Sequence, residues 1–209
     1  LKDRLDPRVD PGREVDRATA ACRFCDTDFV GTDGPGGGRF ASPDDLADAI
    51  ATKWTGAGPG LVVCTGGEPL LQLDAPLVAA FKARGFRIAL ETNGVLAAPP
   101  GVDWICVSPK AGTILAQTRG QELKLVFPQA GVEPSHFAGL DFERFYLQPM
   151  DGPDQAEHTA AAIAYCLANP QWRLSVQTHK MLGIAWRRDC SFCRLSQLPL
   201  ARNCRRRAK

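Results

Sequence analysis

The chain has 209 residues, of which 44% are hydrophobic and 23% are charged, and its formal net charge at pH 7 is +2. This fits one domain of a soluble globular protein, because a single core serves chains of up to about 250 residues. No apolar run reaches the roughly 18 residues of a membrane span and no signal peptide opens the chain, so we expect a cytoplasmic location and no membrane partner. Basic side chains concentrate in residues 186–209, and the mildly acidic remainder predicts no direct nucleic-acid partner.

The first part of the chain is rich in turn-forming residues. Residues 1–21 are charged, contain two prolines and show no clear period, so we interpret them as an atypical N-terminal segment. A loop with the sequence CRFCDTDF and a glycine-rich stretch follow. A helix is predicted to begin after Ser42, because a serine cap, Pro43 and two acidic residues favour the positive end of the helix dipole.

Short apolar strands then alternate with helices. Strands are predicted at residues 61–65, 86–91, 104–108, 122–127, 145–148 and 172–178, and further helices at 74–84 and 154–168. This alternation is typical of parallel βαβ units and predicts an α/β fold, either an open sheet or an incomplete barrel.

Polar or glycine-rich sequence follows the end of nearly every predicted strand. The segments are Thr65-Gly66-Gly67-Glu68, Glu91-Thr92-Asn93, Ser108-Pro109-Lys110, Gln148-Pro149-Met150 and Gln177-Thr178-His179-Lys180. Loops are polar in most proteins, so one such segment decides nothing. Their recurrence predicts a functional site at the carboxyl edge of the sheet, where parallel α/β folds build their sites.

Two motifs suggest chemistry. The Cys22-x-x-Cys25 pair fits half of a zinc site, a redox pair or two ligands of an iron–sulfur cluster, with two unrelated thiols as the alternative. In Thr65-Gly66-Gly67-Glu68-Pro69, the glycines permit a ligand to approach the backbone closely, although a plain strand-to-helix turn fits as well. Three other cysteines, Cys64, Cys106 and Cys166, lie in apolar sequence and are predicted to be small core residues.

Together these motifs resemble the radical S-adenosylmethionine superfamily, and more narrowly the 7-carboxy-7-deazaguanine synthase family of queuosine biosynthesis, a tRNA modification pathway. The matching segments are CRFCDTDFVGTDG (22–34), VCTGGEPLLQLD (63–74), IALETNG (88–94), DWICVSPKA (103–111), ELKLV (122–126), YLQPMDGP (146–153) and WRLSVQTHKMLGI (172–184). The resemblance implies an incomplete (partial) βα barrel of parallel strands over residues 22–185. It also implies a homodimeric lyase that uses a [4Fe–4S] cluster, S-adenosyl-L-methionine and Mg²⁺.

The reaction implied by the resemblance is the radical-mediated ring contraction of 6-carboxy-5,6,7,8-tetrahydropterin to 7-carboxy-7-deazaguanine, with loss of ammonia. The small-molecule partner would be this pterin, and the electron donor a protein such as flavodoxin. Carried over by motif, the cluster ligands would be Cys22 and Cys25, and the Mg²⁺ ligand Thr27. Residues for S-adenosylmethionine would be Gly67, Glu68, Ser108, Lys110 and Gln148. Residues for the substrate would be Thr65, Gly66, Glu91, Thr92 and His179, and no catalytic residue is singled out.

The chain departs from this family at both ends. Pro7, fifteen residues before Cys22, stands where the family has its first cluster cysteine, and no cysteine precedes Cys22. Residues 186–209 extend past the segment where the family stops, and we expect this basic tail to be disordered or non-native. We interpret both departures as reading-frame or gene-model errors, with a decayed gene as the alternative.

Two rival functions remain open at this stage. The first is an inactive protein of the family fold that binds S-adenosylmethionine or a pterin without a complete cluster. The second is a zinc-stabilised binding module, in which Cys190 and Cys193 join Cys22 and Cys25 as ligands, although zinc ribbons usually place their cysteine pairs closer together.

Overall fold

The computed structural model describes residues 38–182. Within them, six strands form one sheet in which every pair is parallel and the strand order follows the chain. The strands are β1 (Leu61–Cys64), β2 (Arg87–Thr92), β3 (Trp104–Val107), β4 (Arg119–Phe127), β5 (Asp141–Pro149) and β6 (Trp172–Leu174). The predicted α/β class and the open, incomplete barrel are confirmed. Cys22, Cys25, Thr27 and the two terminal segments lie outside the described residues.

Three helices connect strands or precede them, as predicted. They are α1 (Pro43–Ala51), α2 (Ala75–Ala83) and α3 (Gln155–Ala168), with a shorter α4 (Thr178–Met181) after β6. Side chains cap the first two helices, since Ser42 Oγ accepts from Asp45 N at 3.1 Å and Asp74 Oδ1 accepts from Leu77 N at 3.0 Å. No helix within the described part of the chain is long and apolar enough to cross a membrane.

The last strand is shorter than predicted. It ends at Leu174, and Thr178 begins helix α4 instead of closing the strand. If the β5–β6 register continued, Val176 would lie opposite Pro149. A proline has no amide hydrogen to donate, so the ladder cannot extend past this point.

Helices cover one face of the sheet, and the hydrophobic core lies between that face and the helices. One cluster packs β1 and β2 against α1 and α2, with Ile88, Leu90 and Phe81 fully buried. A second cluster packs β4 and β5 against α3, around Leu125 and Leu147. Ile105 on β3 packs against both clusters and joins them.

The opposite face, which we call the inner face, carries the alternate residues of the strands. A pocket of about 270 Å³ runs along it and has charged residues among its lining side chains. The lining residues are Leu61, Val63, Arg87, Ala89, Leu90, Glu91, Trp104, Cys106 and Glu122. The sheet therefore has an apolar face for the helices and a mixed polar face that leads up to the carboxyl edge.

Candidate functional site at the carboxyl edge of the sheet

The described residues predicted for the site all lie at or beyond the carboxyl ends of the strands, and hydrogen bonds join those after β1, β2 and β3. Because all strands are parallel and sequential neighbours, the residues after β1, β2 and β3 follow one another along one edge. Their order along this edge is Thr65, Gly66, Gly67 and Glu68 after β1, Glu91 and Thr92 at the end of β2, Ser108 and Lys110 after β3, Gln148 in β5, and His179 in α4. The ends are staggered, since β4 and β5 continue past the level at which β2 and β3 stop.

Glu68 ties the end of β1 to the end of β2. Its Oε1 accepts hydrogen bonds from Leu70 N at 3.0 Å and from Thr92 Oγ1 at 2.8 Å, and its Oε2 accepts from Asn93 N at 2.9 Å. The preceding turn depends on Gly66, whose φ of 115° is a left-handed conformation that other residues rarely adopt. Glu68 therefore holds the strand ends together, and Gly67 beside it is exposed.

Thr92 is one of the few buried polar residues of the described chain, with 4% of its surface exposed. Its hydroxyl donates to Glu68 and accepts from Gly94 N at 3.0 Å. Gly94 has a φ of 80°, and a Cβ there would lie 2.6 Å from Val107 Cγ1, so only glycine fits. These hydrogen bonds hold the Thr92 side chain in one orientation, and through them Thr92 stabilises the carboxyl edge of the sheet.

The loop after β3 brings Ser108 and Lys110 together. Lys110 Nζ donates to Ser108 Oγ at 2.8 Å, and Ser108 N donates to Thr92 O at 2.8 Å, which joins this loop to the end of β2. Pro109 between them is fully buried. A cation and a hydroxyl group, both partly exposed, are therefore presented side by side at the edge.

The inner face adds residues that the sequence patterns did not single out. Lys124 Nζ donates to Glu91 Oε2 at 3.1 Å, and Trp104 Nε1 donates to Glu122 Oε1 at 3.1 Å. The guanidinium of Arg144 lies 5.0 Å from the centre of the Trp104 ring. A signal did exist, because Glu122 and Lys124 alternate with Leu123 and Leu125 at the period that directs them away from the helices.

Burial and neighbouring charges set the ionisation of this face. Burial opposes the charged form of Lys124, but its interactions with Cys106 and Glu91 outweigh that effect and raise the pKa of the ammonium group. Burial raises the pKa of Cys106 to about 12, and that of Cys64 also to about 12. Both cysteines are buried as predicted, Cys64 in the first core cluster and Cys106 on the inner face, whereas Cys166 is only half-buried.

The described residues contain no group of three or more histidine, cysteine or acidic side chains that could hold a metal ion. The residues predicted to bind the cluster and Mg²⁺ lie outside this part of the chain. The described part of the site therefore contains only the residues predicted to contact S-adenosylmethionine and the substrate.

Comparison with known proteins identifies the family. Residues 16–115 match the family described as the Radical SAM superfamily. A 7-carboxy-7-deazaguanine synthase from Caulobacter vibrioides is 68% identical over 175 residues, covering 83% of each chain, and one from Bordetella pertussis is 64% identical with the same coverage. The chain belongs to the 7-carboxy-7-deazaguanine synthase family. The prediction of a radical S-adenosylmethionine enzyme is thereby confirmed.

A solved structure shares this fold. The crystal structure of QueE from Escherichia coli matches with a TM-score of 0.52 and 30% sequence identity. The match covers 66% of this chain and 64% of that chain, slightly less than two thirds of its length. This match and the open parallel sheet support the incomplete barrel expected of a 7-carboxy-7-deazaguanine synthase.

Proposed function

We propose that this chain converts 6-carboxy-5,6,7,8-tetrahydropterin to 7-carboxy-7-deazaguanine with loss of ammonia, in the 7-deazapurine and queuosine pathway. The observation that carries the proposal is the assembly of Gly67, Glu91, Ser108 and Lys110 at one sheet edge, in a chain 68% identical to a named 7-carboxy-7-deazaguanine synthase. The radical S-adenosylmethionine family implies a [4Fe–4S] cluster and S-adenosylmethionine as its cofactors.

The donor set at the edge fits S-adenosylmethionine. This ligand has an ammonium group, a carboxylate, ribose hydroxyls and an adenine ring. The edge offers the exposed backbone of Gly67, the half-buried carboxylate of Glu68, the hydroxyl of Ser108, the ammonium of Lys110 and the amide of Gln148. When bound, the cluster and S-adenosylmethionine supply the radical that abstracts hydrogen from the substrate.

The chain's own residues bind and orient in this proposal. Glu68 and Thr92 hold the first two strand ends in register, so that the backbone of Gly66 and Gly67 keeps its shape. Lys124 fixes the half-exposed carboxylate of Glu91 through one oxygen. Polar groups fixed in this way need no reorganisation during the reaction, which is the main way in which an enzyme site stabilises charge.

The remaining roles are proposed from the family motifs. Cys22 and Cys25 would supply two of the three cysteine ligands that the cluster takes in this family, and Thr27 would bind Mg²⁺. Thr65, Gly66, Glu91, Thr92 and His179 would line the pterin site. We also propose a homodimer in the cytoplasm that receives electrons from a flavodoxin-like protein.

The test is anaerobic reconstitution of the full chain with iron and sulfide, followed by reduction and addition of S-adenosylmethionine, Mg²⁺ and the pterin. We expect bound iron and sulfide, 5′-deoxyadenosine and a product with the mass of 7-carboxy-7-deazaguanine. Omission of Mg²⁺ should slow product formation. Cys25→Ala should lose iron and product, whereas Cys166→Ala, a matched cysteine on α3 away from the edge, should keep both.

Two results would favour the rival functions. Stoichiometric zinc without iron would support the zinc-stabilised module. S-adenosylmethionine binding with no cleavage by the reduced protein would support an inactive member of the family fold. Either result would remove the proposed reaction from this chain.

A further inference from the structure

Two glutamines, Gln117 and Gln129, are buried in the described part of the chain, and each has 7% of its surface exposed. A buried side-chain amide is costly unless its hydrogen bonds are made inside the protein. The positions of these bonds therefore show what each glutamine holds in place.

Gln129 lies just past the end of β4 and reaches across to the loop after β3. Its Oε1 accepts a hydrogen bond from Ala111 N at 2.9 Å, and its Nε2 makes a longer contact of 3.5 Å with Pro109 O. These two backbone groups flank Lys110. Both ends of the side-chain amide therefore contact the backbone of the loop that carries Ser108 and Lys110.

We call the two contacts of the Gln129 amide with the 108–111 loop the clamp, and the backbone of Gln129 is itself held in place. Gln129 O accepts from Val132 N at 3.0 Å in a tight turn, and Val132 is itself 6% exposed in the second core cluster. On the other side, Ser108 N is bonded to the backbone of β2. The loop is thus held between two strands that are not adjacent in the sheet, β2 and β4.

We propose that Gln129 is a positioning residue that holds the 108–111 loop in the shape in which Ser108 and Lys110 meet S-adenosylmethionine. The cofactor part of this inference rests on the function proposed above, whereas the clamp itself does not. Gln129 acts through the loop backbone, because both ends of its side-chain amide contact backbone groups of that loop.

Gln117 provides a matched control. It has the same side chain and the same exposure, and it also spans two backbone groups, accepting from Ala98 N at 2.9 Å and donating to Arg119 O at 2.6 Å. These groups belong to segments before β3 and at the start of β4, and neither lies in the 108–111 loop. Loss of either amide should destabilise the fold in the same way.

The experiment compares Gln129→Met, Gln129→Glu and Gln117→Met in the full chain. Hydrogen exchange of the Ala111 amide is measured without ligand, and S-adenosylmethionine affinity is measured on the cluster-loaded protein. In Gln129→Met we expect Ala111 to lose protection and the Kd to rise about tenfold, the size of one or two lost hydrogen bonds. Gln129→Glu keeps an oxygen for Ala111 N but replaces the donor to Pro109 O with a buried carboxylate, so it should restore only part of the protection and affinity.

Gln117→Met should lower the melting temperature about as much as Gln129→Met, but leave Ala111 protection and the Kd at wild-type values. Unchanged Ala111 protection in Gln129→Met would overturn the clamp. Lost protection with an unchanged Kd would overturn its link to the cofactor. Failure of the wild-type chain itself to bind S-adenosylmethionine would overturn that link together with the proposed function, and the exchange result would still decide the clamp.

Discussion

Thr92 uses its hydroxyl within the protein, as the donor to Glu68 and the acceptor from Gly94 N. Its backbone carbonyl is also occupied, because it accepts from Ser108 N at 2.8 Å. A residue proposed to lie beside the substrate is therefore also the point where the ends of β1 and β2 and the loop after β3 are joined. Changes at Thr92 should act on stability as well as on binding.

We predict that Thr92→Val lowers the free energy of unfolding by about 2–3 kcal/mol, since it leaves the buried Gly94 amide and one carboxylate oxygen with fewer partners. Thr92→Ser keeps the hydroxyl and loses one methyl group, so it should cost about 1 kcal/mol. Urea unfolding monitored by circular dichroism measures both values. Equal costs for the two variants would mean that the hydroxyl does not support this edge.

For single residues, the sequence predicted which residues lie at the strand ends better than it predicted their hydrogen-bond partners. Glu68 and Thr92 stand out in the strand-end motifs, but they are 24 positions apart and their hydrogen bond depends on the register of β1 and β2. No sequence pattern singled out Gln129, because a single glutamine in a loop is common in any protein. Its role follows only from its burial and from the position of the loop beside it.

At the scale of elements, Asp103, the residue just before β3, joins α2 and β2 to that strand. Its Oδ2 accepts from Lys82 Nζ on α2 and from Ile88 N on β2, the latter at 2.6 Å. Burial opposes the charged form, but these two donors outweigh it and lower the pKa of the Asp103 carboxyl group. The carboxylate is about one third exposed, so solvent screens part of the interaction.

We predict that Asp103→Asn destabilises the protein by about 1 kcal/mol at pH 7. A lowered folded-state pKa gives stability that is present above the unfolded pKa and is lost as pH falls through the folded pKa. The difference between the wild type and Asp103→Asn should therefore shrink below about pH 4. Unfolding curves at several pH values test this, with the exposed Asp141→Asn as the control.

A stability difference that stays constant from pH 7 down to pH 3 would show that the charge of Asp103 is not what joins α2, β2 and β3.

Hydrogen bonds between elements, such as those of Asp103, could not be predicted from the sequence, although the strands and helices themselves could. Hydrophobic runs and cap residues predicted every strand and the three longer helices. The end of β6 was missed because it depends on Pro149, a residue of the neighbouring strand.

At the scale of the whole molecule, the described sheet carries two core clusters that meet at one strand. Each strand pairs with the next along the chain, so the cluster on β1 and β2 and the cluster on β4 and β5 are linked through β3. Ile105 is the side chain on β3 that packs against both. The continuous sheet and this shared residue predict that the two halves unfold together.

We predict that Ile105→Ala costs about 2 kcal/mol, toward the low end for an isoleucine truncated in a core because Ile105 is only half-buried. Hydrogen exchange in increasing urea should give one midpoint for Leu90 in the first cluster and Leu147 in the second, and Ile105→Ala should lower both midpoints equally. The exposed Ile163→Ala should change them little. If the two midpoints separate, the halves are independent folding units, and the edge that carries the proposed site would form across two units instead of within one.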